Sequence, residues 1–149
     1  FTSSGVLYGL NKKKIRINEK FKVTKKFKNS ENYKYQWFSQ KLSLERKFFD
    51  LSKDNYKIVV LRMFSFIGPN ILDQNYSVSK FYKSIKYNQK ITINGPINTF
   101  RSYLDEVDAV EWLLRIFLNF KYNFKIYNFG CDEPIKIYDL LKKMIGLKK

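Results

Sequence analysis

An α/β fold built on a parallel sheet is what this sequence predicts, and three observations predict it. Apolar, β-branched runs alternate with helical patterns along the chain, and there is no internal repeat or low-complexity linker. Residues 57–66 include Ile58-Val59-Val60-Leu61 without polar alternation, which suits a strand covered on both faces. Phe1-Thr2-Ser3-Ser4 reads as the end of a buried strand running into a loop, and a lone strand cannot satisfy its backbone by itself. Further chain is therefore expected upstream of Phe1, and Gly146-Leu147-Lys148-Lys149 likewise stops abruptly after a helix.

The elements follow in order. After the opening strand and turn, residues 11–35 are polar and lysine-rich, a long surface excursion. Ile15 with Ile17, and Phe21 with Val23, alternate within it as short strand pieces. Residues 37–52 turn helical, with Trp37, Leu44, Phe48 and Leu51 on one side, and Asp54-Asn55 breaks the pattern. The strand at 57–66 ends in Gly68-Pro69-Asn70. A helix is expected at 77–87 and a short strand at 90–93, closed by Gly95-Pro96. Residues 105–119 give the clearest helix. Asp105, Glu106 and Asp108 sit in its first turn, where the helix dipole favours acids. Val107, Val110, Leu114 and Phe117 form its apolar stripe. A strand at 125–129 meets Gly130, and a last amphipathic helix spans 137–145 with Gly146 as its stop.

Composition narrows the function classes. Of 149 residues, 44% are hydrophobic and 18% aromatic, so the chain is globular rather than disordered. The longest apolar runs fall far short of the roughly 20 residues that a membrane span needs, and no leader-like segment stands near Phe1. Cys131, the one cysteine, has no internal partner, and there is no histidine to help it hold a metal, so no metal site is expected. A reduced, cytoplasmic setting is the expectation. The net charge of +16 admits a nucleic acid, an anionic surface or a phosphorylated substrate. However, the lysines run from Lys12 to Lys149 among many Asn, Ile, Tyr and Phe residues, as a strongly AT-biased genome would write them. The densest cluster, Lys12 to Lys14 with Lys25, Lys26 and Lys28, has no helical period.

Three stretches are similar to the extended short-chain dehydrogenase/reductase family, in particular its nucleotide-sugar epimerases and dehydratases. Ser3-Ser4-Gly5-Val6-Leu7-Tyr8-Gly9 resembles that family's Ser-Ser-x-x-Val-Tyr-Gly stretch. Trp37-Phe38-Ser39-Gln40-Lys41, with Glu45 four residues on, resembles its Tyr-x-x-x-Lys helix. Val60 to Pro69, then Arg101-Ser102-Tyr103-Leu104 leading to Asp108-Ala109-Val110, then Tyr127-Asn128-Phe129-Gly130, follow its later segments in order. The resemblance covers nearly the whole chain and is weakest from Asn11 to Lys34.

It implies a partial Rossmann-like parallel sheet with a smaller C-terminal substrate-binding region, residues 1–66 and mainly 67–149 respectively. It implies NAD as cofactor and a nucleotide sugar as substrate. Ser4 would hold the reacting sugar hydroxyl. Lys41 would join Ser4 in the catalytic set through its charge and, with Ser3, Met63 and Phe64, line the cofactor, Lys41 at its ribose and Met63 and Phe64 beside the nicotinamide. Ser65 and Arg101 would contact substrate, Arg101 through its diphosphate. Partners implied are a homodimer mate or a missing N-terminal half.

The departures are as informative. Position 37 is Trp, and indole donates a hydrogen bond but accepts no proton, so the family's base is absent there. Tyr35 and Tyr33 are poor substitutes, one well around the helix and the other expected before it. None of the six glycines is spaced as Gly-x-x-Gly-x-x-Gly, so the dinucleotide fingerprint is not in this chain. Gly5 and Val6 stand where dehydratases carry an Asp-Glu acid/base pair, which disfavours that chemistry. Taken without the resemblance, Ser3 and Ser4 are turn residues, Lys41 a solvated helix lysine and Trp37 a core aromatic. The chain is thus expected to be an impaired NAD-dependent epimerase/dehydratase-like protein without turnover by itself. Alternatives are a non-catalytic relic or subunit of a split enzyme, and a basic nucleic-acid binder, for which no recognised module is present.

Overall fold

The computed structural model describes residues 1–9, 16–21, 23, 33–70, 76–93 and 95–147, with all of their side chains except those of Tyr33 and Lys34. Ile15 and most of the 11–35 excursion, including the lysine cluster at Lys12 to Lys14 and Lys25 to Lys28, lie outside the described residues. The elements are β1 (Thr2–Ser4), α1 (Tyr33–Leu51), β2 (Ile58–Met63), β3 (Ser65–Ile67), α2 (Ser77–Lys86), β4 (Phe100–Arg101), β5 (Tyr103–Asp105), α3 (Glu106–Asn119), β6 (Phe124–Phe129), β7 (Ile135–Lys136) and α4 (Ile137–Gly146). They form two compact units, one of Phe1–Phe64 with Val110–Gly130, the other of Ser65–Ala109 with Cys131–Lys149.

The first unit is a parallel sheet in the order β1-β2-β6. Ser3 pairs with Arg62 and Arg62 with Asn128, so these three stand in one row. Strand side chains alternate between faces, and α1 takes the face of that row: Phe1 stacks on Phe48 at 4.7 Å and Phe124 meets Phe49 edge-on at 5.1 Å. The other face receives α3, whose Trp112 meets Phe129 at 6.2 Å. Leu7, Tyr8, Phe38, Val60, Leu61 and Phe129 are buried here. Each such side chain contributes on the order of 1.5–3 kcal/mol when removed from water.

The second unit pairs β3 with β5 in parallel and β4 with β7 antiparallel. Its core is Phe81 of α2 with Ile137 and Leu141 of α4, joined by Ile85, Ile91, Ile93, Tyr103 and Met144. Ile137 N–H donates to the Thr99 carbonyl at 3.0 Å, which seats the start of α4.

Several expectations need correction. The helix expected from Trp37 begins at Tyr33, so Tyr33 belongs to it. Of the expected stripe Trp37, Leu44, Phe48 and Leu51, Phe48 is half-buried against Phe1 while the other three are exposed, because the buried positions are Phe38 and Glu45, one residue on from Trp37 and Leu44. One residue turns the face by about 100°. Residues 16–21 and Val23 form no strand. The 57–66 strand divides at Phe64, where the Phe64 N–H still donates to Phe129 (2.9 Å) before Ser65–Ile67 pairs with β5. Residues 90–93 are not a strand; their alternating Ile91 and Ile93 pack on the α2–α4 core instead of joining a ladder. The α3 stripe is apolar as expected, but Val107, Val110, Leu114 and Phe117 are all exposed.

Candidate functional site

The best-built polar feature of the first unit starts from the Ser3-Arg62-Asn128 row. Each of the three residues sits on a different strand, and α1 lowers Glu45 onto the row. Ser3 Oγ donates to Glu45 Oε1 at 2.5 Å, while Arg62 Nε and Nη2 donate to Glu45 Oε1 and Oε2 at 3.0 and 2.7 Å. Arg62 Nη1 donates to the Tyr8 hydroxyl at 3.0 Å, and that hydroxyl donates to Asn128 Oδ1 at 2.6 Å. Asn128 Nδ2 reaches the Ile17 carbonyl at 2.7 Å, and Asn128 N–H donates to Glu19 Oε1 at 2.8 Å. Among the described residues no buried side-chain polar atom lacks a partner, as a buried network must arrange.

Charge and burial oppose each other in this row. Burial disfavours the Arg62 cation, but its bonds to Glu45 and Tyr8 outweigh that and raise its pKa. Burial also lifts the Tyr8 phenol above its ordinary 10.0, against the pull of Arg62. Tyr8 is thereby a poor proton acceptor at neutral pH.

Beside this row lie the residues that the sequence singled out. Ser4 ends β1 in extended backbone, and its Oγ accepts from the Val6 N–H at 3.2 Å, capping the short 3-10 turn Gly5–Tyr8. That turn closes at Gly9, whose φ of 67° is one that glycine adopts without strain. Ser3 spends its hydroxyl on Glu45. Lys41 reaches along β1 to the Thr2 carbonyl (2.7 Å), with its ammonium 5.1 Å above the Phe1 ring. Trp37, one turn earlier on α1, is 42% exposed. Met63 ends β2, and Phe64 follows it. A Cβ on Gly5 or on Gly130 would lie 3.0 Å from Phe64, so both glycines let that ring settle between the strand ends. Phe64 also stacks on Tyr8 at 6.2 Å. Ser4, Lys41, Met63 and Phe64 are thus gathered in one unit.

Ser65 and Arg101 belong to the second unit. Ser65 opens β3. Arg101 lies exposed on β4, its Nη1 bonded to the neighbouring Phe100 carbonyl at 3.0 Å. Nearby in that unit the Glu106 carboxylate accepts from Asn70 Nδ2 at 2.8 Å. Gly68 leaves room for it, since a methyl there would collide with the Glu106 side chain. Asp105 caps the Val107 N–H at 2.8 Å. Burial raises the pKa of Tyr103.

The sequence reading missed Arg62, Tyr8 and Asn128 as a connected set. A signal was present: Arg62 is a lone cation inside the apolar run Ile58–Met63, and a buried arginine demands a partner. Glu45, spaced four residues after Lys41, was the partner.

Comparison with known proteins completes the picture. The sequence profile described as the NAD dependent epimerase/dehydratase family matches residues 1–130. The chain belongs to that family. No curated protein gave a significant match. Among solved structures, this epimerase/dehydratase-family chain is similar to the dTDP-glucose 4,6-dehydratase of Bacillus anthracis in complex with NAD, at TM-score 0.81 and 16% identity over 98% of this chain and 44% of that one. It is similar to RMD of Pseudomonas aeruginosa complexed with NADPH, at TM-score 0.78 and 22% identity over 99% of this chain and 48% of that one. It is also similar to the UDP-N-acetylglucosamine 4-epimerase of Methanobrevibacter ruminantium, at TM-score 0.77 and 22% identity over 95% of this chain and 44% of that one. At such identities the likeness establishes a common Rossmann-like α/β fold. The chain spans less than half the length of these neighbours. Among its described residues no helix is long and apolar enough to cross a membrane.

Proposed function

We propose that this chain carries part of an NAD-dependent epimerase/dehydratase site for a nucleotide sugar, impaired in proton transfer by Trp37. The observation that carries it is the position of Ser4, Met63 and Phe64 at the carboxyl ends of β1 and β2, with Lys41 of α1 reaching β1 at the Thr2 carbonyl, in a chain of this family. In open α/β sheets that is where ligands bind. The setting we infer is the cytoplasm, which the single cysteine supports.

The residues fit one end of the cofactor. Lys41 offers three donors on a flexible stem, suited to ribose hydroxyls, and Phe64 presents a ring edge near the strand ends. Ser3, assigned to the cofactor by the resemblance, is buried with its hydroxyl held by Glu45. They do not fit the pyrophosphate, because no glycine trio in this chain has the spacing that lets a backbone cradle it. When bound, NAD supplies hydride acceptance and return at a sugar carbon. Ser4 orients the sugar hydroxyl. Ser65 and Arg101 hold the substrate, Arg101 at the diphosphate. No residue at position 37 takes up the proton. Gly5 and Val6 offer no acid/base pair, which favours an epimerase- or reductase-like ancestry over dehydration.

The test combines turnover with binding. The chain, incubated with NAD and UDP- or dTDP-sugars, is expected to give neither NADH absorbance nor altered sugar; clear conversion would overturn the impairment. Arg101→Ala is expected to weaken UDP affinity about 10-fold or more, as loss of a charge-assisted bond should. Equal UDP affinity of both proteins would remove Arg101 from the site. Where the cofactor site is complete, Trp37→Tyr should raise turnover by about 10²–10⁴-fold, the usual worth of a general base.

A second reading, a non-catalytic subunit or relic, is favoured by the same Trp37. It predicts that Trp37→Tyr restores nothing even with the cofactor site complete.

A further inference from the structure

Phe64 stands where the parallel strands of the first unit end, and its ring is held on three sides. A Cβ built on Gly5 would lie 3.0 Å from two carbons of the ring, and one built on Gly130 would lie 3.0 Å from the Phe64 Cβ. Neither glycine has a positive φ, so both positions require the absence of a side chain rather than glycine's backbone freedom. On the third side the Tyr8 ring stacks at 6.2 Å, 19° from parallel.

Tyr8 is itself held fast. It is buried, its hydroxyl accepts from Arg62 Nη1 and donates to Asn128, and the Arg62 guanidinium lies 5.0 Å from its ring centroid. Glu45 fixes Arg62 in turn through both carboxylate oxygens. Yet Phe64 is only half-buried, unlike the sealed Phe38 and Phe129 of the same unit. A ring packed for the core alone would be covered; here a rigid seat leaves part of the ring open. Rigidity of that kind lowers the ordering cost of receiving a ligand.

Position selects the ligand. Along β1, Lys41 meets Thr2, and Ser4 and Gly5 follow toward the strand end. The ring lies against Gly5, the residue joined to Ser4, so it borders the place given to the reacting sugar hydroxyl rather than the ribose end. An aromatic face carries partial negative charge, and a pyranose can turn a patch of C–H groups, polarised by their oxygens, to such a surface. A charged phosphate gains nothing from it.

We propose that Phe64 is a specificity-determining residue for the pyranose of the nucleotide sugar, with Gly5, Gly130 and Tyr8 positioning its ring. This inference rests on the nucleotide-sugar reading above and gives the sugar ring a contact of its own. A side chain at position 5 displaces the Phe64 ring, so Gly5 governs sugar recognition without touching the sugar.

The test measures affinity for UDP and for UDP-glucose by calorimetry, with melting temperature alongside, in the parent protein, Gly5→Ala, Phe64→Leu and the double variant. The parent is expected to bind UDP-glucose about 3- to 10-fold more tightly than UDP, as one stacked ring contributes. Phe64→Leu and Gly5→Ala should each abolish that gain and leave UDP affinity unchanged. Gly5→Ala should also lower the melting temperature, and by less in the Phe64→Leu background, where the smaller side chain yields. That thermal coupling identifies the ring as what the added methyl meets, while the unchanged UDP affinity separates positioning from general loss of fold. A sugar gain that survives either single substitution overturns the proposal. So does a parallel loss of UDP affinity, or a melting loss that is undiminished in the Phe64→Leu background. Equal affinity of the parent for UDP and UDP-glucose overturns this inference alone. No binding of either ligand by the parent overturns the reading of the site and this inference with it, so the two failures are distinguishable.

Discussion

Glu45 and Arg62 meet in a place where neither charge survives alone. Each side chain is about 6% exposed, and the paired donors of Arg62 span both oxygens of Glu45. Glu45→Ala should therefore cost about 3–5 kcal/mol, the usual cost of stranding a buried cation. Replacing both, Glu45→Leu with Arg62→Met, should recover most of that, because the penalty belongs to the unpaired charge rather than to the loss of the pair. Urea unfolding of the three proteins decides it; a single variant as stable as the double would show that water reaches Arg62. Tyr8 makes a separate statement through pH. Its folded pKa is raised above 10.0, so the folded state favours the neutral phenol. That contribution is fully present below pH 10 and is lost as pH rises through the folded value. Tyr8→Phe should flatten the fall of melting temperature above pH 10; Tyr103, raised in the same direction by burial, supplies the residual slope.

Elements differ in how much of them the sequence could disclose. β2, α2, α3, β6 and α4 were legible because period and punctuation agreed, as in the apolar run Ile58–Leu61 for β2 and the acids opening α3. The expected stop at Gly146 is not there, since α4 includes that glycine and ends at Leu147 in right-handed backbone. The orientation of α1 was not legible, since apolar Trp37, Leu44 and Leu51 marked one side while the ion pair required the other. Period reports that a helix is two-faced, not which face meets the sheet. Ile91 and Ile93 misled for a related reason, as alternation also serves a loop that drapes over α2 and α4. Of the proposed site, Ser4, Lys41, Met63 and Phe64 rest on family resemblance rather than on any local period. The Tyr8–Asn128 bond joins residues 120 positions apart, which no local pattern signals. Gly68 shows what an element boundary can hide. A methyl there meets the Glu106 side chain that Asn70 bonds twice through its N–H and once through Nδ2. Gly68→Ala should swing Glu106 away and cost about 0.5–1.5 kcal/mol, the net worth of such a bond. Asn70→Ala in the same background should then add little, and full additivity of the two would refute the shared origin.

The whole molecule carries +16, and that number invites a reading as a nucleic-acid binder. Charge alone predicts binding to phosphate backbones, whereas specificity needs side chains aimed at base edges or stacked on bases. Several lysines here instead sit over the chain's own rings: Lys86 near Tyr82 and Tyr87, Lys142 above Tyr138, Lys136 near Phe100. These pairs use aromatic faces that a base would otherwise take. Any association with nucleic acid should accordingly be counterion release and little else. Affinity for duplex DNA of any sequence, for single strands and for heparin should fall together and steeply between about 50 and 200 mM salt. Fluorescence anisotropy across those ligands at two salt concentrations makes the comparison. A preference of more than about 10-fold for one sequence at the higher salt would mean that base-reading groups exist, and the nucleic-acid reading would have to be restored. A common collapse of all affinities would assign the +16 to solvated surface.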